Sequence, residues 1–416
     1  MTETLEQRRT RLLGPNVRLF YDHPLHLVRG KGTWVWDAAG VKYLDCYNNV
    51  PHVGHCHPHV TEAISRQAGL LNTHTRYLHE GILDYVERLV ATFGPGITSA
   101  IMVCTGSEAN DVALRMAQAV TGRTGIIATD HTYHGNTAAV SQLSTTMPPI
   151  GGFGGHVRHV PVPDSYRGAG DLAQQVEAAC QSLVASGHGV SGIILDPFFV
   201  NEGFPDLPPG FLDPAIAVVR KHGGVVVADE VQPGFGRIGS HFWGHQRAGF
   251  QPDIVTMGKP MGNGHPVACV ATSFDIMAAF RQAFRYFNTF GGNPVSCAAA
   301  SAVLDVLRDE DLPARAAVTG DHLRAGLRRL ATKHDLIGDV RGAGLANGVE
   351  LVLDRALRTP ARAVADRVIN LMRQEGVLMG ANGIHYNVLK IRPPMPFGVP
   401  EADLVLETLD HVLARL

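Results

Sequence analysis

The chain has 416 residues, 45% of them apolar and 18% charged, with a formal net charge of −2 and six cysteines. That length exceeds a single hydrophobic core, which stops growing at roughly 250–300 residues, so two or more packed units are expected. The near-neutral balance argues against nucleic acid or an acidic membrane as partner, no apolar run reaches the ~18 residues of a membrane span, and six scattered cysteines do not make a disulfide framework.

Residues Met1–Arg11 are polar, with three arginines, two glutamates and no apolar stretch behind them, which fits a cytoplasmic protein rather than a signal peptide. Next come Leu25–Val28, Thr33–Trp36, the turn Asp37–Gly40 and Val41–Asp45, an alternating meander of strands. His52, His55, His57 and His59 follow. Three of them would share one face of a strand and tempt a metal reading, but Pro58 breaks that strand and no acid lies near in sequence. The expectation is an ordered turn near the active site, held by histidine hydrogen bonds, with no metal. From Pro58 to Phe93 the apolar spacing is helical.

Between Ser99 and Ser273 strands and helices alternate. Ala100–Cys104, Gly125–Thr129, Gly192–Asp196 and Gly224–Asp229 are short and apolar, and helix-length segments separate them. Strands apolar on both faces and joined by crossovers predict an α/β unit with a mostly parallel sheet. A long helix begins near Asn293. From Ile337 onward, strands Gly348–Val352 and Val388–Ile391 alternate with helices, a separate α+β unit that shares its core with the N-terminal meander. The expected boundaries are 1–57 and 311–416 for the smaller unit and 58–310 for the larger.

Three places in the larger unit carry chemistry. Cys104-Thr105-Gly106-Ser107-Glu108 closes one strand and opens a helix, and free N–H groups beside a glycine and a hydroxyl suit a phosphate, or simply cap the helix. Asp229 ends an all-apolar strand, where a buried carboxylate needs a partner: a protonated ring nitrogen, or an arginine such as Arg237. Lys259, one of six lysines, follows the apolar Ile254-Val255 and enters a glycine-rich loop with no charge nearby. Lost hydration lowers the pKa of such a lysine and frees its amine as a nucleophile, unless it snorkels to water. Phosphate cup, buried acid and desolvated lysine together describe a site for pyridoxal phosphate.

At these residues the sequence resembles the class III aminotransferases, of the fold type I pyridoxal-phosphate enzymes. The resemblance runs from about Pro24 to the C-terminus and is densest in Gly106–Asn110, His131–Gly135, Asp229–Arg237, Lys259 and Thr289–Pro294. It implies a large domain with a mostly parallel seven-stranded sheet and a small α+β domain from both chain ends. It implies that Lys259 forms the Schiff base and moves protons, that Asp229 pairs with the ring nitrogen, and that Gly106 and Ser107 hold the cofactor phosphate. Tyr133 and Val231 then cover the two ring faces, Gln232 approaches the ring hydroxyl, and Thr289 reaches the phosphate from a second subunit, which requires a homodimer with shared active sites.

Within the class, Asn48–Pro58, Leu71–His79, Met257–Pro266, Tyr286–Thr289 and Asn387–Pro394 resemble the phospho-lyases of ethanolamine phosphate and phosphohydroxylysine. Alanine–glyoxylate aminotransferases are the next most similar group. An aminotransferase favours an arginine that grips a carboxylate through two hydrogen bonds, whereas this chain has Lys390 on the strand and Arg392 before Pro393. The expected substrate is therefore a phosphorylated amine, with Arg76, Lys390 and Arg392 around its phosphate, and the expected reaction converts ethanolamine phosphate to acetaldehyde, ammonia and phosphate. The alternative is an aminotransferase that passes an amino group to pyruvate or glyoxylate. A silent binding protein that kept the fold is a third reading, against which intact Lys259 and Asp229 speak. Two departures from the phospho-lyases lie near the cofactor: Asp196 opens a segment that usually begins with glutamate, and Pro233 follows Val231-Gln232.

Overall fold

The computed structural model describes residues 3–16, 19–168 and 170–416, so Met1 and Thr2 of the polar N-terminal segment lie outside the described residues. The short apolar segments of the middle region assemble into a seven-stranded sheet. Across it the order is Ser99–Val103, Ala268–Thr272, Ile254–Met257, Val225–Asp229, Gly192–Leu195, Ile126–Thr129 and Val157–Val160. Six strands share one direction and Ala268–Thr272 opposes them, pairing antiparallel with both neighbours. The four strands from Ile126 to Met257 in the sheet's centre are buried at every residue, as strands covered on both faces must be.

Side chains alternate between the faces. Val225 and Val227 enter the core with helix Gly106–Thr121, and Val226 and Ala228 enter the core with helices Leu172–Ala185 and Asp213–Lys221. The same period turns Asp229 toward the face of helix Gly106–Thr121, at the end of its strand. That is how the sheet aims one carboxylate at one helix start.

The smaller unit joins the two chain ends. Leu27–Lys31, Trp34–Asp37 and Lys42–Asp45 form the meander, and Lys42–Asp45 also pairs in parallel with Val377–Leu378. Ile337–Ala343, Ala346–Asp354, Val388–Ile391 and Gly380–Asn382 make a second sheet, backed by helices Arg362–Gln374 and Val399–Leu413. Its apolar side merges with helices Pro58–Ala68, Glu80–Val90 and Pro294–Asp309 in one continuous core. Among the described residues no helix is long and apolar enough to cross a membrane.

The helical run expected from Pro58 to Phe93 is two helices, Pro58–Ala68 and Glu80–Val90. Gly69 closes the first, and the intervening loop leaves Leu70 and Leu78 74% and 99% exposed. The histidine cluster is a turn whose members each take a different partner. His52 bridges Phe235 O at 2.8 Å and Arg237 Nη2 at 3.1 Å, His55 meets Asp45 at 2.7 Å, His57 meets Glu310 at 2.9 Å, and His59 meets Asp305 at 3.2 Å. The acids missing from the local sequence arrive from other elements.

Helix Leu312–Ala331 crosses the Ala343–Ala346 hairpin at Gly320, where an added Cβ would stand 2.0 Å from Gly344 O. Helix propensity alone favours Gly→Ala by about 1 kcal/mol, but backbone cannot yield as a side chain can. Gly320→Ala is expected to destabilise the protein by roughly 1–3 kcal/mol, as overpacking does. Urea unfolding measures it, and a gain in stability would show that the hairpin is free to move.

Candidate active site

The site lies at the ends of the parallel strands, where open α/β sheets bind ligands. A cavity of about 330 Å³ is lined there by Gly106, Ser107, Tyr133, Asp229, Val231, Gln232 and Lys259, seven of the residues expected from sequence. Its floor is the start of helix Gly106–Thr121. Thr105 caps that helix by accepting from Glu108 N at 3.1 Å, and Glu108 Oε2 returns bonds to Cys104 N and Thr105 N at 2.8 and 3.0 Å. This capping box leaves the N–H groups of the first turn facing the cavity. A Cβ on Gly106 would approach Val231 Cγ2 to 3.0 Å, and one on Gly135 would meet Ser107 Oγ at 2.5 Å, so backbone comes closer here than any side chain allows. Both readings of the motif are therefore present: a cap, and an anion cradle built on it.

Asp229 is 5% exposed, and three hydrogen bonds leave its carboxylate one acceptor site of about four. Its Oδ2 accepts from Asn110 Nδ2 at 2.8 Å and from His134 Nδ1 at 2.7 Å, and its Oδ1 accepts from Val231 N at 3.0 Å. Asn110 is held in turn by Thr256, which donates to its Oδ1 at 2.6 Å. Arg237 is not the partner of Asp229. Its guanidinium donates to Pro393 O at 2.6 Å, Leu345 O at 3.1 Å and His52 Nδ1, and burial pushes it down to about 9. His134 and Asn110 lie within the motifs that carry the family resemblance, but nothing in their local residue pattern assigns either of them to Asp229.

Lys259 opens a short turn after strand Ile254–Met257. Its side chain stays open to the cavity, while protein crowds it closely enough that burial, and then Arg392, lower its pKa against the opposing pull of Asp229 and Asp196. It is desolvated and still reachable, which is what a nucleophilic amine needs. Lys390 and Arg392 stand beside it on the last strand, 7% and 4% exposed. Lys390 is held far below its ordinary range by burial, Arg392 and Lys259, and Arg392 is pushed down to about 10. Arg392 donates to Gln232 Oε1 and, at 3.4 Å, to Tyr47 O; Lys390 Nζ lies 5.3 Å from the Tyr47 ring. Among the described residues no carboxylate is in salt-bridge contact with either cation. Lys390 also lines a second opening with Tyr133, Asn201, Asn382 and Tyr386. Gln232 links the two by donating to Asn201 Oδ1 at 3.3 Å.

Thr289 and Arg76 do not line the cavity of their own chain. Both are exposed, and Arg76 stacks 4.0 Å over the Phe287 ring on a face that also bares Tyr77, Leu78 and Phe290. Asp196, noted as a departure in sequence, does line the cavity and accepts from Phe198 N at 2.9 Å and Val200 N at 3.1 Å.

The aminotransferase class-III family matches residues 20–413. An "alanine–glyoxylate aminotransferase 2-like" protein of Drosophila melanogaster is 42% identical over 97% of this chain and 85% of its own. An "ethanolamine-phosphate phospho-lyase homolog 1" of Caenorhabditis elegans is 39% identical over 100% of this chain and 94% of its own. Among solved structures, a phospholyase from Arthrobacter in complex with phosphoethanolamine superposes with a TM-score of 0.96 at 44% identity, over 99% of this chain and 100% of that one.

The donors present fit pyridoxal 5′-phosphate: a glycine-only cradle with free N–H groups for its phosphate, a carboxylate for its ring nitrogen, an aromatic and an apolar wall, and an accessible amine. Asp229→Ala removes a charge-assisted acceptor worth roughly 1.5–3 kcal/mol and leaves His134 and Asn110 facing nothing. Cofactor affinity is expected to fall roughly 10–100-fold. Equilibrium dialysis measures this, and unchanged affinity would remove Asp229 from the site.

Proposed function

Because the chain belongs to the class III aminotransferase family and carries that family's cofactor, pyridoxal 5′-phosphate, we propose that it is a phospho-lyase that converts ethanolamine phosphate to acetaldehyde, ammonia and phosphate. The observation that carries this reading is the pair Lys390 and Arg392, buried beside Lys259, with no carboxylate among the described residues in salt-bridge contact with either. Asp196 and Asp45 offset the burial of Arg392 only from beyond salt-bridge distance, and an arriving anion relieves the remaining cost. The relatives named for ethanolamine phosphate or phosphoethanolamine support it further.

When bound, the cofactor supplies an electron sink that makes the carbon bearing the substrate's nitrogen acidic. The residues of this chain do the rest. Burial and then Arg392 lower the pKa of Lys259, which favours the free amine that takes the proton from that carbon. Asp229 holds the ring nitrogen's proton in place. Lys390 attracts the substrate phosphate and stabilises the charge that grows on its bridging oxygen as the carbon–oxygen bond breaks. A lysine suits this role because a point charge follows a phosphate without imposing the planar fork of an arginine.

The aminotransferase reading is supported by relatives named for alanine and glyoxylate, at 42% and 38% identity among others. It needs a carboxylate grip, and Arg392 is already engaged with Gln232 and Tyr47 O. The deciding assay follows free phosphate and acetaldehyde from ethanolamine phosphate without any keto acid. Release is expected, abolished in Lys259→Ala, and Lys390→Met is expected to raise KM roughly 10–100-fold, the loss of one charge-assisted contact. Amino transfer to pyruvate or glyoxylate with no phosphate release would sink the lyase reading.

The reading also includes a homodimer. The exposed apolar face around Tyr77, Leu78 and Phe290 packs against a second copy, and Thr289 and Arg76 serve that copy's cavity. Mixing Lys259→Ala with Arg76→Ala tests this, because a mixed dimer then holds one intact site. About a quarter of wild-type activity is expected after random exchange of subunits in a twofold dimer. No recovery would place Arg76 in the service of its own chain or of none.

A further inference from the structure

Tyr133 is a wall shared by two spaces. It lines the cavity of Lys259, and it also lines a second opening of about 230 Å³ with Lys390, Asn201, Asn382 and Tyr386. Proton transfer at Lys259 leaves this second space without a task. Lys390 is buried there, and its ammonium lies 5.3 Å from the Tyr47 ring, with Lys259 close enough to lower its pKa. Strand pairing sets Gly380 opposite Lys390 and Asn382 opposite Val388. Asn382 and Lys390 therefore rise from one face of the sheet as diagonal neighbours, roughly 7–8 Å apart.

The two amides of this opening are held in opposite senses. Asn382 is 5% exposed, its Nδ2 donates to Val200 O, and its Oδ1 has no hydrogen-bond partner among the described residues. The carbonyl of Val200 fixes that orientation, because a flipped amide would set two acceptors against each other. Asn201 accepts from Gln232 Nε2 at 3.3 Å through its Oδ1, which leaves the N–H groups of its Nδ2 to a ligand. The opening thus offers a cation, an amide donor and a buried acceptor that is unmet, and an unmet buried acceptor is costly. An ammonium would meet Lys390 with like charge, and sulfate would bring Asn382 only lone pairs. A tetrahedral anion that carries one O–H satisfies all three groups.

We propose that this opening is the departure pocket for released phosphate, in which Lys390 draws the anion off the reacting carbon and Asn382 accepts the O–H that only the free phosphate has. The inference rests on the lyase reading, because that reaction makes such an anion. In the substrate's ester dianion the fourth oxygen is bonded to carbon. Elimination breaks this carbon–oxygen bond, and the electron pair stays on the oxygen. The oxygen takes up one proton, balanced by the proton that Lys259 removes from the adjacent carbon. Monohydrogen phosphate results, with the charge of the ester and an O–H that the ester lacks. Asn382 therefore favours product over substrate in a space to the side of Lys259. Tyr386, 43% exposed, lies along the way out, with the Arg362 guanidinium 5.0 Å from its ring, so a second cation flanks the route.

Isothermal titration of the cofactor-loaded enzyme tests this at about pH 8, where phosphate monoesters are dianions. The probes are inorganic phosphate, sulfate and methyl phosphate, three dianions of which only the first carries an O–H. Bound cofactor fills the Gly106 cradle, so that site does not contribute. Phosphate is expected to bind roughly tenfold or more tightly than either of the others, the worth of one hydrogen bond between a charged ligand and a buried acceptor. In Asn382→Leu that preference is expected to vanish, and Lys390→Met is expected to weaken all three. The ranking of the three anions in the wild type carries the test by itself if Asn382→Leu does not fold. Sulfate as tight as phosphate would show that Asn382 reads no proton, and methyl phosphate as tight as phosphate would give the opening to the ester; either result overturns the proposal. So does a preference that survives in Asn382→Leu. An intact ranking in an enzyme that releases no phosphate from ethanolamine phosphate would overturn the departure role and the lyase reading but leave a phosphate site, so the two failures are told apart.

Discussion

The site is governed by like charges that the fold forces together. Burial and Arg392 lower both Lys259 and Lys390, Lys259 lowers Lys390 further, and among the described residues no carboxylate is in salt-bridge contact with Lys390 or Arg392. Left alone, such a cluster favours unfolding or loss of a proton, and the easier course is loss of a proton by a lysine. Both lysines are lowered, Lys390 the more strongly, and Lys259 is the one that stays open to the cavity.

That arrangement needs both units of the molecule. Lys259 follows a strand of the central sheet, whereas Lys390 lies on the last strand of the smaller unit and Arg392 directly after it. Tyr47, in contact with both of the latter, comes from the other end of the chain. Gln232, after the Asp229 strand, spans the junction by meeting Asn201 and Arg392 at once. A small shift between the units therefore alters the distance between Lys259 and its charged neighbours, and with it the amine's readiness to react.

Much of this was legible in the residues. All-apolar strands announced a covered parallel sheet, the glycine and hydroxyl at 106 and 107 announced a cradle, and a lone lysine in a glycine-rich loop announced an amine of lowered pKa. What sequence hid was pairing across long separations. Arg237 is a plausible partner for Asp229 on local grounds, yet tertiary packing gives the carboxylate to His134 and Asn110 and sends the arginine to carbonyl oxygens of the smaller unit. The helical period from Pro58 to Phe93 masked a loop because Leu70, Leu71 and Leu78 are apolar and exposed in the single chain. The histidines showed their number but not their carboxylates, two of which, Asp305 and Glu310, come from the far end of the large domain's sequence.

The pairing of Lys42–Asp45 with Val377–Leu378 bears on how the chain comes to be folded as it is made. The open edge of the first-synthesised meander, Lys42–Asp45, has no partner strand until nearly the whole polypeptide exists, and closing so long a loop is slow. The central sheet, whose strands all lie between residues 99 and 272, can gather beforehand. Helices Glu80–Val90 and Pro294–Asp309 bring Tyr85 and Cys297 to Cys269 before the last strands exist, so a chain truncated before Lys390 keeps Lys259 and Asp229 and lacks only the two cations that the C-terminal segment delivers.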